Sequence, residues 1–160
     1  MEHENHYDLL TESDPEKLYR MGLSYLERQL PADARRAFAL AHAIRPEDQR
    51  YRSYYGMAIA LADRDMKKAL DLCGGAMKRN YLYPDLYRNL GRVYLLSGQR
   101  RKAYGVFQAG LRVDCANRDL RREIEQMGVR RSPVFSFLKR SNPINHLAGK
   151  IRHALTVSPC

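Results

Sequence analysis

The residues from 21 to 46 carry two short apolar stripes separated by polar residues. The positions that define the pattern are Gly22, Tyr25, Ala34, Phe38, Ala41 and Pro46. Gly22 and Tyr25 lie about one helical turn apart, and the missing side chain at Gly22 lets another helix approach closely. Pro31, which is costly inside a helix, stands between the stripes. The pattern therefore predicts two helices joined by a short turn, a helical hairpin.

The hairpin pattern recurs twice further along the chain. Gly22, Gly56 and Gly91 lie 34 and 35 residues apart. The second stripes align in the same way, as Ala34, Ala69 and Ala103, then Phe38, Cys73 and Phe107. Because two independent sets of residues share one spacing, we expect three copies of the hairpin. The one extra residue of the middle copy is predicted to lie in the turn 62–65, where an insertion costs least.

A period near 34 residues with small side chains at these positions resembles the tetratricopeptide repeat. The three repeats fall at 15–48, 49–83 and 84–117. The second repeat departs from the family pattern at Arg52, where a bulky apolar residue is usual, and at Tyr81, where a terminal proline is expected. The resemblance implies an all-α fold, a right-handed superhelix of three helix-turn-helix repeats.

The periodicity also predicts where each helix lies. Antiparallel pairs are expected near 15–30, 32–45, 49–62, 66–79, 84–97 and 100–113. A capping helix near 118–127 is expected next, because the last hairpin would otherwise expose its apolar face. Asn117 or Asp119 can cap its first turn and Gly128 ends it. Its apolar stripe comprises Leu120, Ile124 and Met127. Its charged residues, Glu123 among them, are expected on the solvent side.

Charge is unevenly distributed along the 160-residue chain, whose net charge is +10. The acidic N-terminal segment 1–14 carries −5, the basic tail 129–160 carries +6, and the repeats with their capping helix carry +9. This excess favours an acidic protein segment, nucleic acid or an anionic surface as partner, although arginine-rich helix faces are often simply solvated. No stretch approaches the roughly 20 apolar residues of a membrane span, and the acidic N-terminus is unlike a secretory signal. We therefore expect a cytoplasmic protein.

Groups suited to catalysis or metal binding are sparse in the sequence. No histidine has a second and third ligand at metal-binding spacing, and Gly74 and Gly75 lie within a predicted helix and not in a phosphate-binding loop. Cys73 lies on a buried stripe, where a free cysteine usually acts as a small apolar residue. The sequence thus predicts a protein that is not an enzyme and that uses neither metal nor cofactor.

In tetratricopeptide proteins the first helix of each repeat lines a concave groove. The corresponding residues expected to bind a partner are Tyr19, Leu23, Tyr54, Met57, Arg88, Asn89 and Arg92. Arg88 and Arg92 lie one turn apart and are suited to gripping a carboxylate as a fork. The groove therefore fits a peptide or helix with apolar anchors and an acidic end, as a non-catalytic adaptor or scaffold would bind.

Several alternatives remain open for this groove. The family's carboxylate clamp needs Lys and Asn where Tyr19 and Leu23 stand, so that chemistry is disfavoured. A three-repeat chaperone of a bacterial secretion system fits in architecture but not in charge. A basic module that binds nucleic acid or an anionic surface fits in charge but lacks a recognised motif. In addition, Arg88 and Arg92 are expected to pair with Asp85 or with the acidic N-terminal segment if no ligand is bound.

The basic tail contains an apolar linker followed by a predicted helix near 143–155. Its ending is similar to that of short bacterial tetratricopeptide proteins of unassigned role. The residues expected to dock are Phe135, Phe137, Leu138, Ile144, Leu147 and Ile151. Three docking surfaces are open: the protein's own superhelix, another protein or a second copy of the chain, and an anionic membrane.

Overall fold

The computed structural model describes Leu9, residues 12–128, and the positions 143–144 and 147–148. Within residues 12–128 the chain forms seven α-helices and no strand. They are α1 (Pro15–Glu27), α2 (Pro31–Ile44), α3 (Gln49–Ala62), α4 (Met66–Arg79), α5 (Pro84–Leu96), α6 (Arg100–Val113) and α7 (Arg118–Gln126). All seven helices predicted between residues 15 and 127 are present, and their ends agree with the prediction to within three residues. The all-α class is therefore confirmed.

The first turn shows how a proline can start a helix. Helix α1 ends at Glu27, three residues earlier than predicted, and Pro31 is the first residue of α2. Proline suits that position because the first amide of a helix has no intrahelical partner. Gln29 adopts a positive φ of 60°, and the Leu30 amide donates to the Tyr25 carbonyl oxygen at 2.8 Å. This left-handed turn closes α1 and begins α2 directly.

The extra residue of the second repeat lies in a helix and not in a turn. Helix α3 has 14 residues, whereas α1 and α5 have 13 each. The turns between the two helices of a repeat are equally short in all three repeats. Each turn contains one residue with a positive φ, which is the seventh residue after the repeat glycine in the first and third repeats, Gln29 and Gly98. In the second repeat it is the eighth residue, Arg64. The predicted insertion in the turn 62–65 is therefore wrong.

The repeat glycines make room for the second helix of their own hairpin. A Cβ atom on Gly22 would lie 2.5 Å from Cε1 of Phe38, and one on Gly91 would lie 2.1 Å from Cε1 of Phe107. Gly56 stands in the same way against Cys73, whose Sγ would be 2.9 Å away. Such separations are far below van der Waals contact. The predicted register of small and bulky residues is thus confirmed.

Helix α7 starts with a side-chain cap, since the Asn117 Oδ1 atom accepts from the Leu120 amide at 3.0 Å. Leu120 is fully buried, and its Cδ1 lies 2.7 Å from where a Cβ on Gly110 would be. The chain divides into two compact units, Met1–Glu123 and Ile124–Cys160. Among the described helices none is both long and apolar enough to cross a bilayer.

Candidate functional site

An aromatic cluster fills the interface between the first two repeats. The Tyr19 ring centroid lies 5.8 Å from that of Phe38, 5.2 Å from that of Tyr51 and 5.3 Å from that of Tyr54. Edge-on and tilted pairs at these distances are favourable beyond simple burial. Burial raises the pKa of Tyr19 and of Tyr54, so both phenols stay protonated. Tyr19 and Tyr54 are therefore part of the core more than of an open groove.

One arginine closes this cluster from the outside. The Arg50 guanidinium lies 5.5 Å from the Tyr19 centroid and 5.3 Å from that of Tyr51, and its Nη2 contacts Asp48 at 2.7 Å and Glu16 at 3.2 Å. Burial raises the pKa of Asp48, but hydrogen bonds from Arg50 outweigh it, so the net pKa lies below its ordinary value. The Tyr51 hydroxyl donates to Glu16 at 2.8 Å, and burial together with that carboxylate raises its pKa to about 12. The charge of Arg50 is thus fully compensated.

A buried polar link joins the second and third repeats. Asn89 is 1% exposed, and its Nδ2 donates to Oγ of Ser53 at 3.2 Å. The Cys73 thiol donates to the Ser53 carbonyl oxygen, and burial raises its pKa to about 12. Asn89, predicted from the family pattern to touch a partner, lies where it fixes α5 against α3.

The two arginines of the third repeat are held by acids of α7. Arg92 Nε contacts Oε1 of Glu123 at 2.6 Å, and the same oxygen lies 3.7 Å from Nε of Arg88. Arg88 also contacts Asp119 at 3.0 Å and Asp85 at 3.8 Å. Glu123 occupies the position that a ligand carboxylate would take in the predicted fork. Its side chain is 10% exposed, so the expectation that it faces solvent is wrong.

A cavity of about 300 Å³ lies beside this ion pair. Its walls come from α3, α5 and α7, and its lining residues are Met57, Leu61, Arg92, Leu95, Leu96 and Glu123. Apolar side chains form most of the wall, and the Arg92–Glu123 pair gives it one polar side. Leu61 follows Met57 by four residues and Leu96 follows Arg92 by four, so the helical period that places the groove residues also indicates these two leucines.

The remaining predicted residues fall in different environments. Leu23 and Arg88 are partly exposed. Met57 is 2% exposed and forms part of the cavity wall. Leu9, in the acidic N-terminal segment, is helical, 3% exposed and part of the same buried cluster as Tyr19. In the second unit Ile144 and Leu147 are helical and 56% and 62% exposed. The other docking residues of the tail lie outside the described residues: Phe135, Phe137, Leu138 and Ile151.

Comparison with known proteins identifies the fold. No family model and no curated protein matches the chain. Solved structures do match: the first TPR of Spaghetti (RPAP3) bound to an HSP90 peptide is 15% identical with a TM-score of 0.59, covering 71% of this chain and 92% of that one. MamA is 22% identical with a TM-score of 0.56, covering 78% and 75%. The Sgt2 TPR domain from Aspergillus fumigatus is 17% identical with a TM-score of 0.57, covering 80% and 90%. The tetratricopeptide fold is thereby confirmed.

Proposed function

We propose that this protein is a non-catalytic adaptor that binds a segment of a protein partner along the concave face formed by α1, α3 and α5. The observation that carries the proposal is the cavity of about 300 Å³ on that face, walled by leucine and methionine side chains. A pocket of this kind suits one large apolar side chain of a peptide. A structural neighbour also supports the proposal, because the first TPR of RPAP3, which has the same fold, is bound to an HSP90 peptide.

The polar side of the cavity bears on the chemistry of the ligand. Arg88 and Arg92 are already paired with Glu123, so an acidic ligand group would have to displace it. The binding free energy from that group is therefore only the difference between its contacts and those of Glu123. The apolar anchor therefore supplies most of the affinity, and an acidic neighbour supplies orientation. The buried Nε of Arg88 lies 3.7 Å from Oε1 of Glu123, so it belongs to the same charge cluster.

The proposal assigns different tasks to the residues that the family pattern selects. Tyr19, Tyr54 and Asn89 are buried and shape the groove, whereas Leu23, Arg88 and Arg92 are accessible to a ligand. It also places the protein in the bacterial cytoplasm. Self-association through the tail is part of the same proposal, supported by the exposed apolar side chains of Ile144 and Leu147.

Site-specific photo-crosslinking tests the groove. A photoreactive phenylalanine analogue at Leu95 should capture one protein from the native host, whereas the same analogue at the exposed Leu82 should not. Nuclease treatment before capture removes proteins bridged by nucleic acid. The captured protein is then purified and titrated against wild type, Leu95→Ser and the control Leu82→Ser.

We expect Leu95→Ser to weaken binding by about tenfold or more, since a lost apolar anchor is worth roughly 1.5–3 kcal/mol. The thermal midpoint should change little, because Leu95 is not part of the fully buried core. Equal affinity of the two serine variants for the captured protein would contradict the proposal. Capture that disappears after nuclease treatment would favour the nucleic-acid alternative instead.

A further inference from the structure

Arg52 occupies an unusual position in the second repeat. It lies in α3, and its guanidinium rests on the backbone of α4 at Gly75. A Cβ atom on Gly75 would be 2.8 Å from Nη2 and 3.1 Å from Cζ of Arg52. Glycine at position 75 lets the guanidinium rest directly on the helix backbone, although a glycine inside a helix costs about 1 kcal/mol relative to alanine. The neighbouring Gly74 has no atom within 4 Å of its own Cβ position, so the close approach belongs to Gly75 alone.

Among the described residues, no carboxylate compensates the charge of Arg52. In the part of the chain that the structure describes, no acidic side chain lies within ion-pair distance of this residue. Its Nε atom is buried and has no hydrogen-bond partner. By contrast, the arginines of the groove face, Arg50, Arg88 and Arg92, each contact at least one carboxylate. A buried donor without a partner is costly, so a partner from outside the protein would be bound favourably.

A second polar atom of the same kind lies on α2. His42 Nδ1 is buried and has no hydrogen-bond partner. The His42 ring centroid is 6.1 Å from that of Tyr55, which stands one turn after Arg52 on α3, and the Lys68 ammonium lies 5.8 Å from the Tyr55 centroid. Burial lowers the pKa of His42, and the positive charge of Arg52 lowers it further.

We propose that Arg52, whose guanidinium rests against Gly75, and His42 form a binding site for an oxyanion between α2, α3 and α4. The ligand chemistry is that shared by phosphate and carboxylate groups, which accept hydrogen bonds from guanidinium and imidazole N–H donors. Lys68 adds positive charge at the edge of the site. This site is separate from the cavity between α3, α5 and α7 and does not depend on the groove's function.

Phosphate titration of the full chain tests the site by NMR. The Nε resonance of Arg52 and the imidazole resonances of His42 are followed in sodium phosphate and in sodium acetate, each against sodium chloride of equal ionic strength. We expect saturable shifts of both side chains with phosphate, with acetate or with both, and none with chloride. Saturation by acetate would mark a carboxylate ligand, and saturation by phosphate alone would mark a phosphate group. Absence of saturation with either anion would overturn the proposal.

Two matched pairs of variants locate the effect. Arg52→Gln should weaken anion binding at least about tenfold, the loss expected for one charge-assisted hydrogen bond, whereas the control Lys67→Gln on α4 should not. Gly75→Ala should weaken binding because its methyl group displaces the guanidinium, while Gly74→Ala meets no atom and should bind as wild type does. Equal affinities within either pair would overturn the proposal. Thermal unfolding confirms that all four variants remain folded.

Discussion

The two ends of the repeat array neutralise arginine charge by different means. At the first end Arg50 contacts Asp48, two residues earlier, and Glu16 of the preceding repeat, above the rings of Tyr19 and Tyr51. At the last end Arg92 contacts Glu123, which belongs to the capping helix. The first arrangement is complete within the repeats, whereas the second depends on a helix that is not a repeat. The third repeat therefore needs its cap for charge as well as for burial.

The largest expected effect tests whether the first and third repeats share the same packing of a glycine against a phenylalanine. Gly22→Leu and Gly91→Leu each place a side chain into the ring of the paired phenylalanine. Overpacking of this kind should lower the free energy of unfolding by about 3 kcal/mol in both variants. Chemical denaturation measures it. Gly105→Ala is the control, because nothing lies within 4 Å of its Cβ position and the helix gains propensity. An unchanged thermal midpoint for Gly91→Leu would contradict the register.

The next effect is expected only at the capped end. Glu123→Gln removes the carboxylate that Arg92 contacts at 2.6 Å, and the partly exposed arginines then recover some hydration. We expect a loss of about 1–2 kcal/mol in the free energy of unfolding, with no comparable loss for the exposed Glu125→Gln.

The reverse change at the same end removes both arginines. If Arg88 and Arg92 served only to bind a partner, Arg88→Ala with Arg92→Ala would weaken partner binding without lowering thermal stability. The buried position of Glu123 alters that expectation, because the double variant leaves its carboxylate without either cation. A thermal midpoint equal to that of wild type would show that Glu123 does not need them.

The smallest expected effect is a pH dependence of stability at the first end of the array, where Asp48 pairs with Arg50. The pKa of Asp48 lies below its ordinary value of 3.8, so its ion pair adds stability above that pH and loses it as pH falls through the lowered pKa. Asp48→Asn keeps an N-cap for α3 but removes the charge. The variant should be less stable than wild type by about 1 kcal/mol near pH 7, and the difference should vanish near pH 2. A difference that persists at low pH would assign the effect to capping.

The fold was predictable because the contacts that determine it join residues close to each other in the sequence. Each repeat glycine meets a bulky residue of its own hairpin, as Gly22 meets Phe38, so one period predicts the packing. Among the groove charges, the pairing of Arg88 with Asp85 was predicted and is present, whereas the contacts of Arg88 and Arg92 with Glu123 were not predicted, because they depend on which face α7 turns inward. A signal was nevertheless present: Glu123 stands three residues after Leu120, on the same helical face as the predicted stripe. Assigning every charged residue of α7 to solvent concealed it.

The Glu123 contact also limits how long the array can become. The glycine–phenylalanine packing is repeated within hairpins and would tolerate an additional copy of the third repeat. A duplicated copy would carry two more arginines in the groove, but only one Glu123 follows the last repeat. Insertion of a repeat would thus leave one copy of Arg92 without its Glu123 contact, although each copy of Arg88 would keep its own Asp85. The capping helix therefore supplies a carboxylate for the arginines of one repeat only.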